Sequence, residues 1–289
     1  MPAYQVPSLL ADLNLLDLIE LSGSTVKAAP LLNLSQPSVS RRRRRLQKEL
    51  GLSPTPELSQ GDGACLRLLR RAAKRHRLDS GVWRLGGDGW ALDPQLMEEN
   101  VLLGALRFAP LAQWQTLVQS HVLDGALVSG HELRLAGLNC QMQDQHPVLW
   151  RSCIAWPLLQ LPLLLVRRGD APPQPAAIKP WSTVLMPSLG FCAGLAAQLR
   201  QQQLILGHLS TAQQSPADWL SALEQNRAAA ALATPMWFRQ LQRASKSPLH
   251  HKALPNALSL DLWLLLHRRD WSKHPELQER AQSLSHLFV

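Results

Sequence analysis

The stretch Ser35–Gly51, SQPSVSRRRRRLQKELG, decides how the rest of the chain is read. Its five consecutive arginines, Arg41 to Arg45, fit three readings: a solvated charge run, a localisation tag, or a helix built to lie against phosphate. The flanking residues narrow that choice. Ser35 is a good N-cap, Pro37 falls in the first turn where its missing N–H costs nothing, and Gly51 is a stop, so the spacing predicts a helix reaching Leu50. At about 100° per residue, Val39, Leu46 and Leu50 share one face, while Arg41, Arg44, Arg45 and Lys48 share the opposite one. Arg43 projects onto the apolar face, where its stem must pack and its guanidinium must snorkel out.

On the N-terminal side, Leu9, Leu13, Leu16 and Ile19 recur at helical spacing, and Ser22-Gly23 ends that helix. Ser24 caps a second short helix, Thr25 to Leu32, and Asn33-Leu34 makes a tight turn. Two short helices, a tight turn and a cationic third helix form a helix-turn-helix pattern. On the C-terminal side, Leu52 to Gly63 is a Pro/Gly/Ser-rich break. The following segment, ACLRLLRRAAKRHRL (Ala64 to Leu78), places Cys65, Leu68, Leu69, Ala72 and Ala73 on one stripe and its cations elsewhere. Two readings of it stay open: an exposed helix that packs against a copy of itself, or a solvated connector whose apolar side rests on its own domain.

The charge is concentrated in the same region. The 289 residues carry 30 Lys+Arg against 21 Asp+Glu, a net +9, with a sequence pI near 10.0. Between Arg41 and Arg77 there are 12 cations against 3 acids, Glu49, Glu57 and Asp62, so this segment alone accounts for the whole net charge. Such a balance suggests an anionic partner, nucleic acid or an acidic membrane surface. Hydrophobic residues at 46% and charged residues at 18% exclude a disordered chain, and the length allows a small module plus a larger one.

The chemistry of catalysis is hard to find. Four widely spaced cysteines, Cys65, Cys140, Cys153 and Cys192, show no metal-ligand spacing and read as buried small hydrophobes in a reducing compartment. His250-His251 has no partner at metalloprotease spacing, and Asp124 and Asp218 lack a catalytic mate. There is no G-x-S-x-G, no Walker loop and no G-x-G-x-x-G, and Leu85 to Gly89 (LGGDG) is too short and ill-spaced to cradle phosphate. The chain is expected to be no enzyme and to need no cofactor or metal. The N-terminus lacks a basic n-region and carries Asp12, Asp17 and Glu20 in its apolar pattern, so it is no signal peptide. The most apolar run, Ile154 to Val166, is too short for a bilayer and holds two prolines. A soluble, cytoplasmic protein with no membrane association is expected. Ten tryptophans beside one tyrosine are most simply core filling.

From Val82 onward, short apolar runs alternate with helical patterns placed near Pro94–Leu103, Leu111–Val122, Phe191–Gln201, Pro216–Gln225 and His274–Leu287. The alternation predicts an α/β domain with largely parallel sheets.

In Ala28 to Gly51, the residues Ala28, Ala29, Leu32, Ser35, Gln36, Pro37, Ser38, Val39, Ser40, Arg41, Leu46, Glu49, Leu50 and Gly51 stand in register with one known signature. The segment resembles the DNA-binding end of LysR-type transcriptional regulators. That resemblance implies an α + α/β fold: an N-terminal winged-helix-like helix-turn-helix (1–62), a linker helix (63–80), and a two-subdomain α/β effector domain of periplasmic-binding-protein type (81–289). Three positions depart from the family pattern: Arg43 where a hydrophobic residue is usual, Pro30 interrupting the second helix, and Leu52 to Gly63 replacing the usual wing motif.

The resemblance further implies that the third helix enters the major groove of double-stranded DNA. Gln36, Pro37, Ser38, Ser40 and Arg41 would then face base edges, Lys27, Arg42, Arg44, Arg45 and Lys48 would neutralise phosphates, and Ser35 belongs to the same DNA-binding set. A homodimer or homotetramer through Leu68, Leu69 and Ala72 follows, as does a small-molecule effector near Gly87, Asp88, Ser129, Ser188, Gly190 and Thr234. The other reading is a diverged small-molecule-binding module of the same fold that has lost sequence-specific DNA recognition.

Overall fold

The computed structural model describes residues 8–52, 62–90, 101–106, 109–142, 146–168, 183–201, 205–208, 215–254, 259–273 and 276–286. The chain divides into two compact units: Met1–Leu85 with Glu98–Ala105 and Thr116–Gly125, and Gly86–Met97 with Leu106–Gln115 and Ala126–Val289.

The first unit opens with three helices, α1 (Ser8–Ser22), α2 (Thr25–Leu31) and α3 (Gln36–Glu49), followed by α4 (Asp62–Asp79). Their boundaries follow from local chemistry. Ser24 and Ser35 both sit in extended backbone, and their hydroxyls accept from Lys27 N and Ser38 N. Beyond α3, the Gly51 N–H bonds to the Lys48 carbonyl and the Leu52 N–H to the Gln47 carbonyl, a Schellman closure. A Cβ on Gly51 would meet nothing within 4 Å, so its φ of +63° is the reason for glycine there. Pro30 does not interrupt α2. It lies in the last turn, so the bond it cannot make would have gone only to the carbonyl of Val26, a residue 66% exposed.

Leu13, Leu15, Leu16 and Ile19 of α1, Ala28 and Ala29 of α2, Val39 and Leu46 of α3, and Leu66 and Ala73 of α4 form one buried cluster. The face that α4 presents to it is not the purely apolar one its sequence suggests. Arg70, Lys74 and Arg77 are each 2% exposed, whereas Cys65, Leu68 and Ala72 are exposed and Leu69 is half-buried. Buried carboxylates account for the inversion. Arg70 Nε donates to Asp17 Oδ1 at 2.7 Å and its Nη2 to Glu20, while Arg77 grips both oxygens of Asp124 at 2.9 and 2.6 Å. Lys74 reaches the Asp124 carbonyl. Asp124, for which the sequence offers no partner, is thus an ion-pair centre.

Strand β1 (Trp83–Gly87) lies beside β2 (Val101–Leu106), so residues 101–103 are strand where the sequence suggests helix, and residues 91–100 lie outside the described residues. Arg84, at the start of β1, joins the buried network: its Nη1 donates to Asp17 Oδ2 at 2.9 Å, its Nη2 to Asn14 at 2.6 Å, and its backbone N–H to Asp124 at 2.7 Å. Burial alone would raise the Asp124 carboxyl, but Arg77, Lys74 and the Arg84 backbone N–H together outweigh it and hold the group below its ordinary value.

The remaining elements are α5 (Leu111–Gln119), β3 (Gly125–Ser129), α6 (Gly130–Leu135), β4 (Val148–Trp150), β5 (Cys153–Leu161), β6 (Leu164–Arg168), β7 (Thr183–Met186), α7 (Leu189–Gln201), β8 (Ile205–His208), α8 (Pro216–Glu224), β9 (Ala230–Ala233), α9 (Pro235–Ala244), β10 (Leu249–Ala253), β11 (Leu260–His267), α10 (Arg268–Lys273) and α11 (Glu276–His286). In the second unit one sheet carries β3, β11, β5 and β4 side by side, and another runs β10-β6-β9-β7-β8.

These sheets are mixed, not largely parallel. β7 pairs in parallel with β8 and β9, which are reached through α7 and α8, but β6 pairs antiparallel with β9 and β10, and β5 antiparallel with β11 and β4. The apolar run Ile154–Val166 supplies parts of both β5 and β6, joined by only Pro162-Leu163, so the chain passes between sheets without the helical crossover that parallel pairing requires. Pro157 sits where the β5–β11 register shifts between Leu262 and Trp263, the kind of irregularity that tolerates a residue without an N–H. Asp218, the other carboxylate without a mate, closes a capping box with Ser215 at the start of α8. No described helix is long and apolar enough to cross a membrane.

Candidate nucleic-acid interface and ligand cavity

Helix α3 buries Val39 and Leu46 and half-buries Arg43 and Leu50, which leaves Gln36, Pro37, Arg41, Arg42, Arg44, Arg45 and Lys48 exposed. Lys27 and Ser35 are also exposed, and Ser38 and Ser40 are half-buried. The expected residues therefore form one solvent-facing surface made of the α3 N-terminus, its outer face and the start of α2. They are not equally free. Arg45 donates to Asp12 Oδ2 of α1 at 3.0 Å and lies 3.4 Å from Glu49, so part of its charge is already answered. Arg42, Arg44 and Lys48 make no ion pair among the described residues.

Side chains tie the α3 N-terminus together beyond its cap. Gln36 Nε2 donates to Thr25 Oγ1 at 3.3 Å and to Ser40 Oγ at 3.0 Å, and Arg41 Nη2 donates to Ser38 Oγ at 3.4 Å. Ser38 and Ser35 share a hydroxyl contact at 2.9 Å. With Nε2 engaged twice, the exposed Gln36 amide is held in place, and Arg41 is tethered through one of its five donors. Neither Thr25 nor Asp12 was legible as part of this surface: they lie 11 and 33 residues from their partners, and only the packing of α1 and α2 on α3 brings them close.

In the second unit, Asp88 and Ser129 meet at a cavity of about 10 Å³, which Trp90, Phe191 and Cys192 also line. That is space for about one water. Asp88 Oδ1 accepts from Ala109 N and Trp114 Nε1, each at 3.2 Å. Burial pushes its pKa up to about 8, so at neutral pH it is a carboxylic acid able to donate a hydrogen bond. An acidic residue at this position is therefore compatible with an anionic or neutral ligand. Cys192 donates toward the Pro187 and Ser188 carbonyls, and burial, followed by the charges of Asp88 and Glu132, pushes its thiol well up.

The other expected cavity residues do not line it. Thr234 is fully buried, donating to the Trp90 carbonyl and capping α9. Ser188 caps Gly190 N, and Ser129 also accepts from His131 N at the start of α6. Gly87 is buried within β1. Of the cysteines expected to be buried, Cys65 is instead exposed on the outer face of α4.

No family model and no curated protein matches the sequence. Solved structures do match the fold. A hydrogen-peroxide-bound cysteine-to-serine mutant of OxyR from Corynebacterium glutamicum is 13% identical, with a TM-score of 0.52 over 99% of this chain and 94% of that one. A further OxyR cysteine mutant from that organism is 14% identical, with a TM-score of 0.50 over 99% and 93%. HinK, a LysR family transcriptional regulator from Pseudomonas aeruginosa, is 14% identical over 90% and 92%, with a TM-score of 0.42. Among the solved structures that the chain resembles are LysR-family transcriptional regulators, HinK included, and at these identities what the chain shares with the Corynebacterium OxyR is the fold, over nearly the full length of both chains.

Proposed function

We propose that the chain is a LysR-type transcriptional regulator that binds double-stranded DNA through α3, the second helix of a helix-turn-helix formed with α2. The observation that carries this reading is the outer face of α3. It combines a held Gln36 amide, small hydroxyl side chains and an adjacent Arg41 at the N-terminal end with Arg42, Arg44 and Lys48, which make no ion pair among the described residues. Those are the groups suited to base edges and to phosphates respectively. The exposed strip of α4, Cys65, Leu68 and Ala72 with half-buried Leu69, supports self-association into the paired arrangement that two half-sites require. The cavity at Asp88 and Ser129 is read as the effector site, which must open beyond its present size to admit a ligand. The raised thiol of Cys192 gives no support to thiolate chemistry there. This reading is of a non-enzyme acting in the cytoplasm.

Fluorescence anisotropy with duplexes selected from a random pool tests it. Contact with about five phosphates gives a log–log salt slope near −4 to −5, and Gln36→Ala or Arg41→Ala should reduce preference for the selected duplex more than Arg44→Ala does. Weak binding that is indifferent to sequence in the wild-type chain would favour instead the small-molecule-binding module without specific DNA recognition.

A further inference from the structure

A second, larger opening in the second unit is a cleft of about 610 Å³ between α6, α7 and the adjoining ends of β5 and β11. It shares no lining residue with the cavity at Asp88. Its size falls in the range of small-molecule sites, about 300–1,000 Å³.

Its charged groups are built in from several sides. Asp261 and Gln160 face each other across the β5–β11 ladder, and Gln160 Nε2 donates to Asp261 Oδ1 at 3.0 Å. Arg134 of α6 gives Nη1 to Asp261 Oδ2 at 2.7 Å and to the Cys140 carbonyl at 3.2 Å, and its Nη2 reaches His131 Nδ1 at 3.2 Å. A guanidinium only donates, so His131 Nδ1 accepts. The ring proton therefore sits on Nε2, which donates to the Ser259 carbonyl at 3.0 Å. Burial, with Arg134 nearby, lowers the His131 pKa and favours that neutral form.

The pair retains unspent capacity. Among the described residues, three of the five guanidinium N–H groups are engaged, and each Asp261 oxygen has accepted one bond where it can take two. The Arg134 side chain is 37% exposed toward solvent and Asp261 11%. A simple anion would meet Asp261 beside its cation, and a simple cation would meet Arg134. A molecule carrying both charges makes the four groups alternate in sign.

We propose that this cleft binds a small zwitterion of the amino-acid or dipeptide class, its carboxylate on Arg134 and its ammonium on Asp261. Gln160 and Gln141 meet its amide or polar substituent. The test is calorimetric titration of the full chain, without DNA, against the standard L-amino acids and glycylglutamine. The comparison probe is N-acetylglycinamide, which keeps the amides and carries no charge. At least one zwitterion should bind, with the neutral probe about tenfold or more weaker, since charge-assisted hydrogen bonds are lost. Arg134→Met should abolish binding. Gln160→Ala, which leaves the ion pair in place, should weaken it several-fold while the circular dichroism spectrum stays unchanged. No heat from any zwitterion, equal binding of the neutral probe, or undiminished binding by Arg134→Met would each overturn the assignment. None of these readouts depends on DNA, so the result stands apart from the proposed DNA-binding activity.

Discussion

Thr25 shows how much of this surface is decided by single side chains. It is the first residue of α2, and its hydroxyl holds the amide of Gln36, the first residue of α3. If Gln36 reads a base, Thr25 is a positioning residue for it. Thr25→Val keeps the shape and removes the acceptor, so the amide loses one of two anchors. The expected loss is about 0.5–1.5 kcal/mol of binding to a selected duplex, or roughly 2- to 12-fold, with little change on a scrambled duplex. Thermal stability should be almost unaffected, because the hydroxyl is not deeply buried. An anisotropy titration on both duplexes measures it; equal loss on both would assign Thr25 to general packing.

At the scale of elements, α4 is the helix whose sequence and structure part most clearly. A helix with arginines at positions 70 and 77 and a lysine at 74 would ordinarily show those residues to water. Here they point inward because Asp17 and Asp124 are there to receive them, and the leucine at 68 faces out instead. Removing one member of such a pair leaves a buried charge uncompensated. Asp124→Leu or Arg77→Met should each cost about 3–5 kcal/mol, whereas the two together should cost clearly less than the sum. Urea unfolding with constant m-value across the series reports it. Independent losses that simply add would show that the pair contributes no coupling.

At the scale of the whole molecule, Asp88 and Asp124 pull the dependence of stability on pH in opposite directions. Asp124 has a lowered pKa, so its contribution is present above about pH 4 and is lost as pH falls below that, through its folded value. Asp88 rises from 3.8 to about 8, so between those values the folded chain keeps a proton that the unfolded chain has released. Stability should therefore fall with rising pH across that window, by up to about 1.4 kcal/mol per unit. Cys192 lines the same cavity, and the charge of Glu132, itself raised by burial, adds to the shift. Asp88→Asn keeps an acceptor for Ala109 and Trp114 and has no proton to lose. Its melting temperature should change less than that of the wild type between pH 6 and about pH 9, with the advantage growing toward the alkaline end. Parallel curves for the two proteins would place the proton elsewhere.

The first fifty residues were legible in sequence because their signals are local. Ser24 and Ser35 act within three residues, Asn33 takes a φ of 52° at the tight turn, Gly51 closes its helix by backbone conformation, and the period of Val39, Leu46 and Leu50 states which face is buried. Several strands of the second unit, such as β3, β6, β7, β9 and β11, were legible as apolar runs, but β4, β5 and β10 were not read as strands, and no strand's direction was legible, because run length says nothing about which neighbour a strand pairs with. What only the tertiary structure decided are the long-range pairs: Thr25 with Gln36, Asp17 with Arg70 and Arg84, Asp124 with Arg77, and Arg134 with Asp261. A charged side chain reads as exposed in any local window, and it becomes an interior group only when a distant segment brings the opposite charge to it.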